Sequence, residues 1–576
     1  MKSYNDDFYF TPFNFLDQES KKKIINSHPY YNKHIFFSDF EKCEKLYRKI
    51  SYQLYQKLNV IHKVSYKDSY WDIILEEWLF RIIMMTKENW ACVEILNQEI
   101  VKPKCTMYNL NYEDVVHENG YEFNLGIYNG DHSLFQNFVY LKILKCFNFK
   151  EIILEDYTLI KKNKSISKTT NLLKIMSIIS KIIIIFKKNF KIISIFPQHL
   201  KTEIKSHFKF FIPYLFINFQ ACKVESDNYD SRLRDWNIEI DYQNDYEKFI
   251  CDLIPKILPK MVIEDYKKFT DLINKKYPIK VENILMAPIN NDFAKFFIAK
   301  QKSRGSKIHM FQHGNNYGQL KICPDEKIEL NHSDFFYTWG WNSNSRMKNT
   351  KGNIVPFYPV NLGYVNELNL NKEKKEISII LKCHEDYFYQ FQSMENYIHQ
   401  KKYNESILSF QNNLKDEVIK NVSIRLHPTD KIYRYKKYLR SVKIHDGNEN
   451  IFNFLKKVKL CVLTYNATTY LHSFALNIPT IIFFSKNHTF FRETSEKYFN
   501  YLRDANIMFD DEKKAAEFIN SIYPDVEKWW FDDRTQKNKK LFCDNFLNLD
   551  SGKKNKYDNL VKDLLKNEKN SLIKNH

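Results

Sequence analysis

The sequence predicts an α/β protein: two Rossmann-like halves facing each other across a cleft, with a helical N-terminal elaboration. Three observations carry this. From Val281 the pattern alternates between short buried apolar runs and helical spacing, the rhythm of a parallel βαβ sheet. A second series of the same kind starts near Lys375. Six of the eleven glycines fall within residues 305–363, and scarce glycine marks positive φ or close backbone approach.

In chain order, residues 1–110 read as helices packed on the first half. Tyr70 to Trp90 (YWDIILEEWLFRIIMMTKENW) sets Trp71, Leu75, Trp78, Leu79, Ile82 and Ile83 on one broad face, a core-facing stripe rather than a ligand box. Residues 111–345 form the first Rossmann-like half. Its early part is mixed, with an exposed Lys/Asn/Ser-rich loop expected at 161–171. Its later part is clear. VENILMAPIN is a buried strand ending in a turn, DFAKFFIAKQKSRG a helix closed by Gly305, KIHMFQHGNNYG a strand entering a glycine-flanked loop, and SDFFYTWGW another strand and turn. Residues 346–374, with Pro356, Pro359 and Gly363, are the linker. In the second half, 375–550, ISIILK, VSIRLHPTD, KLCVLTY and IPTIIFF read as strands. NIFNFLKKV, YLHSFALN and KAAEFINSIY read as helices, and NATT as a loop. Residues 551–576 read as a basic tail.

At 576 residues the chain is too long for one ordinary domain of roughly 150 residues. Hydrophobic residues at 44% and aromatics at 16% allow a sizeable core and exclude a mainly disordered protein. The net charge of +19 comes largely from lysine on a background rich in Asn, Ile, Tyr and Phe. Base readers and phosphate forks favour arginine, and no zinc-finger or RNA-recognition motif is present, so nucleic acid is not the expected partner. The runs at Lys161–Lys168 and Lys553–Lys556 would suit contact with an anionic membrane surface, solvated loop and tail being the plainer reading. The N-terminus has no apolar h-region, and the most apolar run, Ile175 to Phe186, contains Lys181 and is too short to span a bilayer. The ten cysteines are scattered with no C-x-x-C pair, as reduced thiols of a cytoplasmic protein would be.

Three segments could carry chemistry. FQHGNNYGQ puts His313 at the end of a strand, where an imidazole can face a cleft and move a proton near neutrality; a capping or core histidine is the alternative. IRLHPTD puts His427 at another strand end, with Pro428 fixing the turn and Arg425 on the same face by strand alternation, a pairing suited to phosphate. YNATTYLHSF is strand, small polar loop, then helix, where backbone N–H groups and the Thr468 and Thr469 hydroxyls can hold an anion. A threonine N-cap without ligand is equally compatible. No P-loop, G-x-G-x-x-G, G-x-S-x-G elbow or metal-ligand spacing is present.

The run from KLCVLTYNATTYLHSFALNIPTIIFF to DVEKWWFDD resembles a transferase family encoded in bacterial surface-carbohydrate gene clusters. Strand, Y-x-x-T-T, helix and N-I-P-T-I is the most recognisable stretch. Arg492, the YLRDANIMFDD segment, Trp529 and Trp530 follow it. Q-H-G-x-x-Y-G at Gln312–Gly318 and the EEWLFR helix near Trp78 extend the match over most of the chain. More distantly the motifs are similar to GT-B enzymes such as CDP-glycerol glycerophosphotransferases and capsule Kdo transferases.

That resemblance implies a GT-B-like fold, with the acceptor on residues 111–345 and a nucleotide donor on 375–550. It implies transfer of a sugar or polyol phosphate from a CMP- or CDP-type donor to a cell-surface polysaccharide or lipid-linked acceptor, with neither cofactor nor metal. His313 would be the base. His427, Arg425, Pro428, Asn466, Thr468, Thr469 and His472 would hold the donor, and Gln312, Gly314, Tyr317 and Gly318 would shape the cleft loop. His472 departs from the pattern, since related sequences carry an acidic residue able to bond the ribose hydroxyls. The alternative is a non-catalytic glycan- or nucleotide-binding component of a surface-polysaccharide assembly complex. The oligomeric state is left open.

Overall fold

Two long antiparallel helices, α1 (Lys33–His62) and α2 (Asp68–Asn97), brace the first half. The chain reverses between them through Lys63 in the left-handed region, φ 52°. Asn59 closes the corner, accepting from the Trp71 indole at 2.9 Å and donating to the Tyr66 carbonyl at 2.8 Å. The stripe expected on α2 is present, but the helix is buried on nearly every side, as a helix central to a core must be.

The computed structural model describes residues 16–566, apart from 99–101, 103, 130–132, 157–178, 181, 196–213, 218–225, 289–290, 361, 363–375, 383–388, 391–394, 429, 431–438, 441, 485–488 and 550–555. The expected loop at 161–171 and Gly363 lie outside the described residues, as do Lys181 and most of the first basic run's neighbourhood. A short parallel pair, β1 (Cys105–Tyr108) with β2 (Ile152–Glu155), spans the expected boundary at residue 110.

The first half is a six-stranded parallel sheet. Its strands are β3 (Asn189–Ile195), β4 (Tyr214–Phe216), β5 (Lys280–Met286), β6 (Lys307–Phe311), β7 (Phe335–Thr338) and β8 (Asn353–Pro356), with spatial order β4-β3-β5-β6-β7-β8. Helix α3 (Asp292–Ser303) joins β5 to β6, and α4 (Pro324–His332) joins β6 to β7. Lys295 of α3 meets Glu77 of α2 at 2.8 Å, with Arg81 on the same carboxylate at 3.4 Å. These cations hold the half-buried Glu77 carboxylate at about 2 against the desolvation that would raise it, and they tie the helical elaboration to the sheet.

The second half is also a six-stranded parallel sheet. Its strands are β9 (Ile377–Ile380), β10 (Val422–Arg425), β11 (Lys443–His445), β12 (Leu460–Leu463), β13 (Thr480–Phe483) and β14 (Met508–Phe509). Their order, β11-β10-β9-β12-β13-β14, is the 3-2-1-4-5-6 arrangement of a doubly wound fold, whose direction reverses between β9 and β12. Helix α5 (Thr468–Ala475) follows β12, and α6 (Glu493–Asp504) and α7 (Asp533–Phe546) pack together behind the sheet. The Trp529–Trp530 pair belongs to this core: Trp529 donates to the Ala505 carbonyl at 3.0 Å and Trp530 to the Asn477 carbonyl at 3.1 Å.

Part of the expected basic tail is helical, and its residues 551–555 and 567–576 lie outside the described residues. Residues Lys556–Lys566 form helix α8, which returns to the first half. Tyr557, Leu560 and Val561 join a core with Ile192, Leu285, Phe311, Tyr337 and Phe357. The lysines drew attention to charge, while the apolar positions 557, 560, 561 and 564 carry the helical spacing that docks it. Leu560→Ala is expected to lower stability by about 2–4 kcal/mol, as large-to-small core changes do. Replacing the exposed Lys562 and Lys566 with Gln should leave it unchanged. Thermal unfolding of the three proteins checks this.

Candidate active site

The two sheets meet through loops at the carboxyl ends of their central strands, where open α/β sheets place ligands. From the first half comes the loop 312–323 after β6; from the second come the turn 464–467 after β12 and the start of α5. Gln312 anchors the first loop. Its carbonyl oxygen Oε1 accepts from the Trp339 backbone at 2.9 Å and the Trp341 indole at 2.8 Å, and its amide donates to the Gly314 carbonyl at 2.7 Å. Gln312 is therefore a buried structural hub rather than a group open to the cleft. Gly318 sits at φ +72°, with a Cβ position 2.7 Å from the Trp341 ring. Both sterics and backbone conformation demand glycine there.

A hydrogen-bonded clasp joins the halves. The Asn315 backbone N–H donates to Thr468 Oγ1 at 3.1 Å, and its side chain donates to Asn466 Oδ1 at 2.7 Å and the Tyr470 hydroxyl at 3.1 Å. Gln319 Oε1 accepts from the Tyr470 hydroxyl at 3.1 Å and from Asn466 at 3.3 Å. Gly314 admits this approach, its Cβ position lying 3.2 Å from Thr468 Oγ1. Asn466 and Thr468, expected to face a phosphate, thus face the partner loop. Helix α5 begins at Thr468 with Ala467 as its N-cap, so no threonine caps it; Thr469 is half-buried beside it.

Beneath the clasp lies a buried ion pair. Arg492 NH2 meets Glu326 Oε2 at 2.6 Å and NH1 meets Oε1 at 2.9 Å, while Nε donates to the Leu320 carbonyl at 2.6 Å and NH1 also reaches the Ser345 carbonyl. The same carboxylate accepts from the Gly318 and Met347 backbones at 2.8 and 2.9 Å. A bridge between Leu320 and Phe491 continues the contact.

His313 is partly exposed, its side chain retaining 30% of its surface. Its Nδ1 lies 3.1 Å from the Tyr317 hydroxyl, which donates to Glu329 Oε1 at 2.6 Å. Desolvation lowers the imidazole pKa to about 4, so the ring is neutral at physiological pH. Burial, and then Asp325, raise Glu329 well above the usual carboxylate range.

The second half contributes unevenly. Arg425 is buried, and its guanidinium donates to the Gly447 and Glu449 carbonyls at 2.8 and 2.5 Å with the Phe454 ring beneath it. It clamps a turn onto the H-P segment. Gly447, at φ +79°, puts its Cβ position 2.1 Å from the Leu426 carbonyl and 2.9 Å from Pro428 N, so no other residue fits. His427 and Pro428 are exposed beyond that turn, and the Arg425–His427 pairing expected from strand alternation is replaced by a buried arm and an exposed ring. Desolvation lowers His427, with Asp430 opposing it. His472 packs at a tilt against Phe452, ring centroids 4.7 Å apart, with Nδ1 buried and without a hydrogen-bond partner among the described residues. Desolvation lowers it to about 4, which suits a neutral ring rather than a stand-in for a carboxylate.

Sequence reasoning missed Lys382, Gln319, Glu329 and Gly447. Lys382 is buried at the end of β9, beside the switch point, its Nζ 4.7 Å from the Tyr403 ring. The lysine closing the ISIILK run was its signal. Among the described residues, no group of three or more His, Cys, Asp and Glu side chains is placed to hold a metal ion, and no helix is long and apolar enough to cross a membrane.

Two facing parallel sheets with their strand ends turned to a common joint are a GT-B-like architecture, the class to which many sugar-transferring enzymes conform. The chain belongs to the LIC12162 family of transferases, whose profile matches residues 11–557. Solved structures with a similar arrangement include a glycosyltransferase from Rickettsia africae, 11% identical, covering 66% of this chain and 99% of its own, with a TM-score of 0.35. Acinetobacter baumannii MurG is 10% identical, covering 66% and 100%, at 0.31. Glycyrrhiza uralensis UGT73P12 is 8% identical, covering 69% and 93%, at 0.35. At these scores the architecture rests on the strand order above. No curated protein matches the sequence.

Arg492→Ala is expected to cost about 3–5 kcal/mol, because it leaves Glu326 buried without its countercharge. Arg492→Lys should recover only part, since an ammonium cannot make the fork. Denaturant midpoints of the three proteins report it, and an unshifted midpoint for Arg492→Ala would refute the arrangement.

Proposed function

We propose that the protein is a glycosyltransferase-type enzyme that moves a sugar or polyol phosphate from a CMP- or CDP-type nucleotide donor to a cell-surface polysaccharide or lipid-linked acceptor. The observation that carries the reading is the placement of His313: a neutral, partly exposed imidazole on the loop after β6, whose next two residues, Gly314 and Asn315, meet the helix start that follows β12. The acceptor hydroxyl lies on the first half and gives its proton to His313. The donor lies on the second half near the β9–β12 switch point, with His427 and the buried Lys382 toward its phosphates and the α5 N-terminus adding its dipole. Catalysis then comes from positioning and from neutralising the leaving phosphate, with about 10²–10⁴-fold from the base. No bound metal or cofactor enters this scheme. The net charge of +19 favours encounter with anionic lipid-linked acceptors at the inner face of the cytoplasmic membrane, as a peripheral contact.

A second reading, a non-catalytic glycan- or nucleotide-binding component of an assembly complex, is favoured by one observation. Asn466, Thr468 and Arg425 are engaged inside the protein, which reduces what is left to grip a donor. Turnover separates the two. His313→Ala and His427→Ala should each abolish transfer while the protein stays folded. Full activity in a folded His427→Ala variant would remove His427 from the donor site. Under the first reading a cytidine nucleotide at 100 times its Kd adds about 2.7 kcal/mol of stability, so a raised melting temperature accompanies turnover.

A further inference from the structure

As an isolated base His313 is poorly suited to its task, because desolvation opposes the imidazolium that proton uptake would create. The geometry behind the ring offers another destination. We propose that His313, Tyr317 and Glu329 form one proton-transfer unit, in which a proton taken up at His313 Nε2 is matched by one delivered to the Glu329 carboxylate. The proposal rests on the reading of His313 as the base and names its two positioning residues.

The contacts set the order. Tyr317 has a single proton and donates it to Glu329 Oε1 at 2.6 Å. Its oxygen is then free to accept from His313 Nδ1–H at 3.1 Å, which leaves the Nε2 lone pair on the other edge of the partly exposed ring. When the acceptor O–H breaks, its proton bonds to Nε2 and its electron pair attacks the donor. The Nδ1 proton passes to Tyr317 Oη, and the Tyr317 proton passes to Glu329. Each bond broken is matched by one formed, and imidazole, phenol and carboxylic acid all end neutral. The reverse passage to solvent resets the unit. No imidazolium appears at any step, which answers the desolvation problem.

The surroundings favour a carboxylate that accepts a proton. Glu329 is buried on α4 with Asp325 and Glu326 on its own helix and Glu77 facing it from α2. Arg492 is bound to Glu326, and Arg81 to Glu77, so neither cation is committed to Glu329. Glu329 Oε2 is buried without a hydrogen-bond partner among the described residues, a costly state for an ionised carboxylate. Burial and then Asp325 therefore raise Glu329, and burial and then Glu77, opposed by Arg81, raise Asp325 to about 7.

This coupling has a signature that neither a core histidine nor a simple base would share. Below the pKa of the unit Glu329 carries the proton, the chain of donors runs from Glu329 through Tyr317 to Nδ1, and the ring proton sits on Nε2. Above it the chain reverses and the ring proton sits on Nδ1. The neutral ring thus changes tautomer with pH, well above the pH at which it would become a cation.

Nitrogen NMR of the full chain with labelled histidine tests this, the His313 signals among 17 histidines being assigned by their loss in His313→Gln. The expected result is a switch from Nε2–H to Nδ1–H as pH rises across the range in which the protein stays folded, lost in Glu329→Gln and in Tyr317→Phe. One fixed tautomer over that range in the unmodified protein, or a switch that survives Glu329→Gln, overturns the proposal. If either variant fails to fold, the unmodified titration still decides. In a transfer assay Tyr317→Phe should lower kcat about 10²–10⁴-fold with little change in KM. A tautomer switch together with full activity in His313→Ala would keep the proton unit and refute the reading of His313 as base.

Discussion

The Arg492–Glu326 pair is the contact on which the site depends. A guanidinium from the second half enters the first and finds acceptors for Nε, NH1 and NH2. Its carboxylate partner, fully buried, receives two backbone N–H groups as well. Buried charges repay their desolvation only when the remaining donors and acceptors are satisfied, and here they are. Because Gly318 N–H is one of those donors, the ion pair fixes the loop that carries His313, Asn315 and Tyr317. The clasp through Asn315, Gln319, Asn466 and Tyr470 is then laid over a joint that is already set.

Much of the fold was legible because burial writes itself into periodicity. Parallel strands covered on both faces become short apolar runs such as ISIILK and IPTIIFF, and each fell on its strand. Helix α2 was legible for the same reason. The returning helix α8 was not, because its few apolar positions are set among lysines and its partner surface lies more than 190 residues earlier. Pattern reading sees a face but not what covers it.

The site was legible by position and less so by role. Gln312, Gly314, Tyr317, Gly318, Asn466 and Thr468 do gather at one joint, because each follows a central strand of its sheet. Their duties depend on contacts across the two halves, separated by about 150 positions, as for Asn315 and Thr468. A polar side chain near a strand end can face a ligand or another loop with the same local sequence. Gln312 is a hub and Asn466 a clasp for that reason. Glu329 was invisible because an acidic residue in an amphipathic helix ordinarily reads as solvent-facing, and its burial depends on α2 lying across α4.

The two strand ends are unequal in rigidity, and this bears on how the halves can work together. On the side of β6 and β12, the loops share hydrogen bonds and the buried ion pair, so separating the halves there means exposing a paired charge and several satisfied polar groups. On the far side of the β9–β12 switch point, Arg425 and Gly447 hold the H-P turn through contacts within the second half. A proton-accepting chain needs fixed distances of about 3 Å or less, since hydrogen bonds weaken steeply when stretched. A donor site with phosphates to admit and release needs room to move. Under the proposed function, the proton chain beside the buried ion pair and the donor contacts at the H-P turn away from it would meet both requirements.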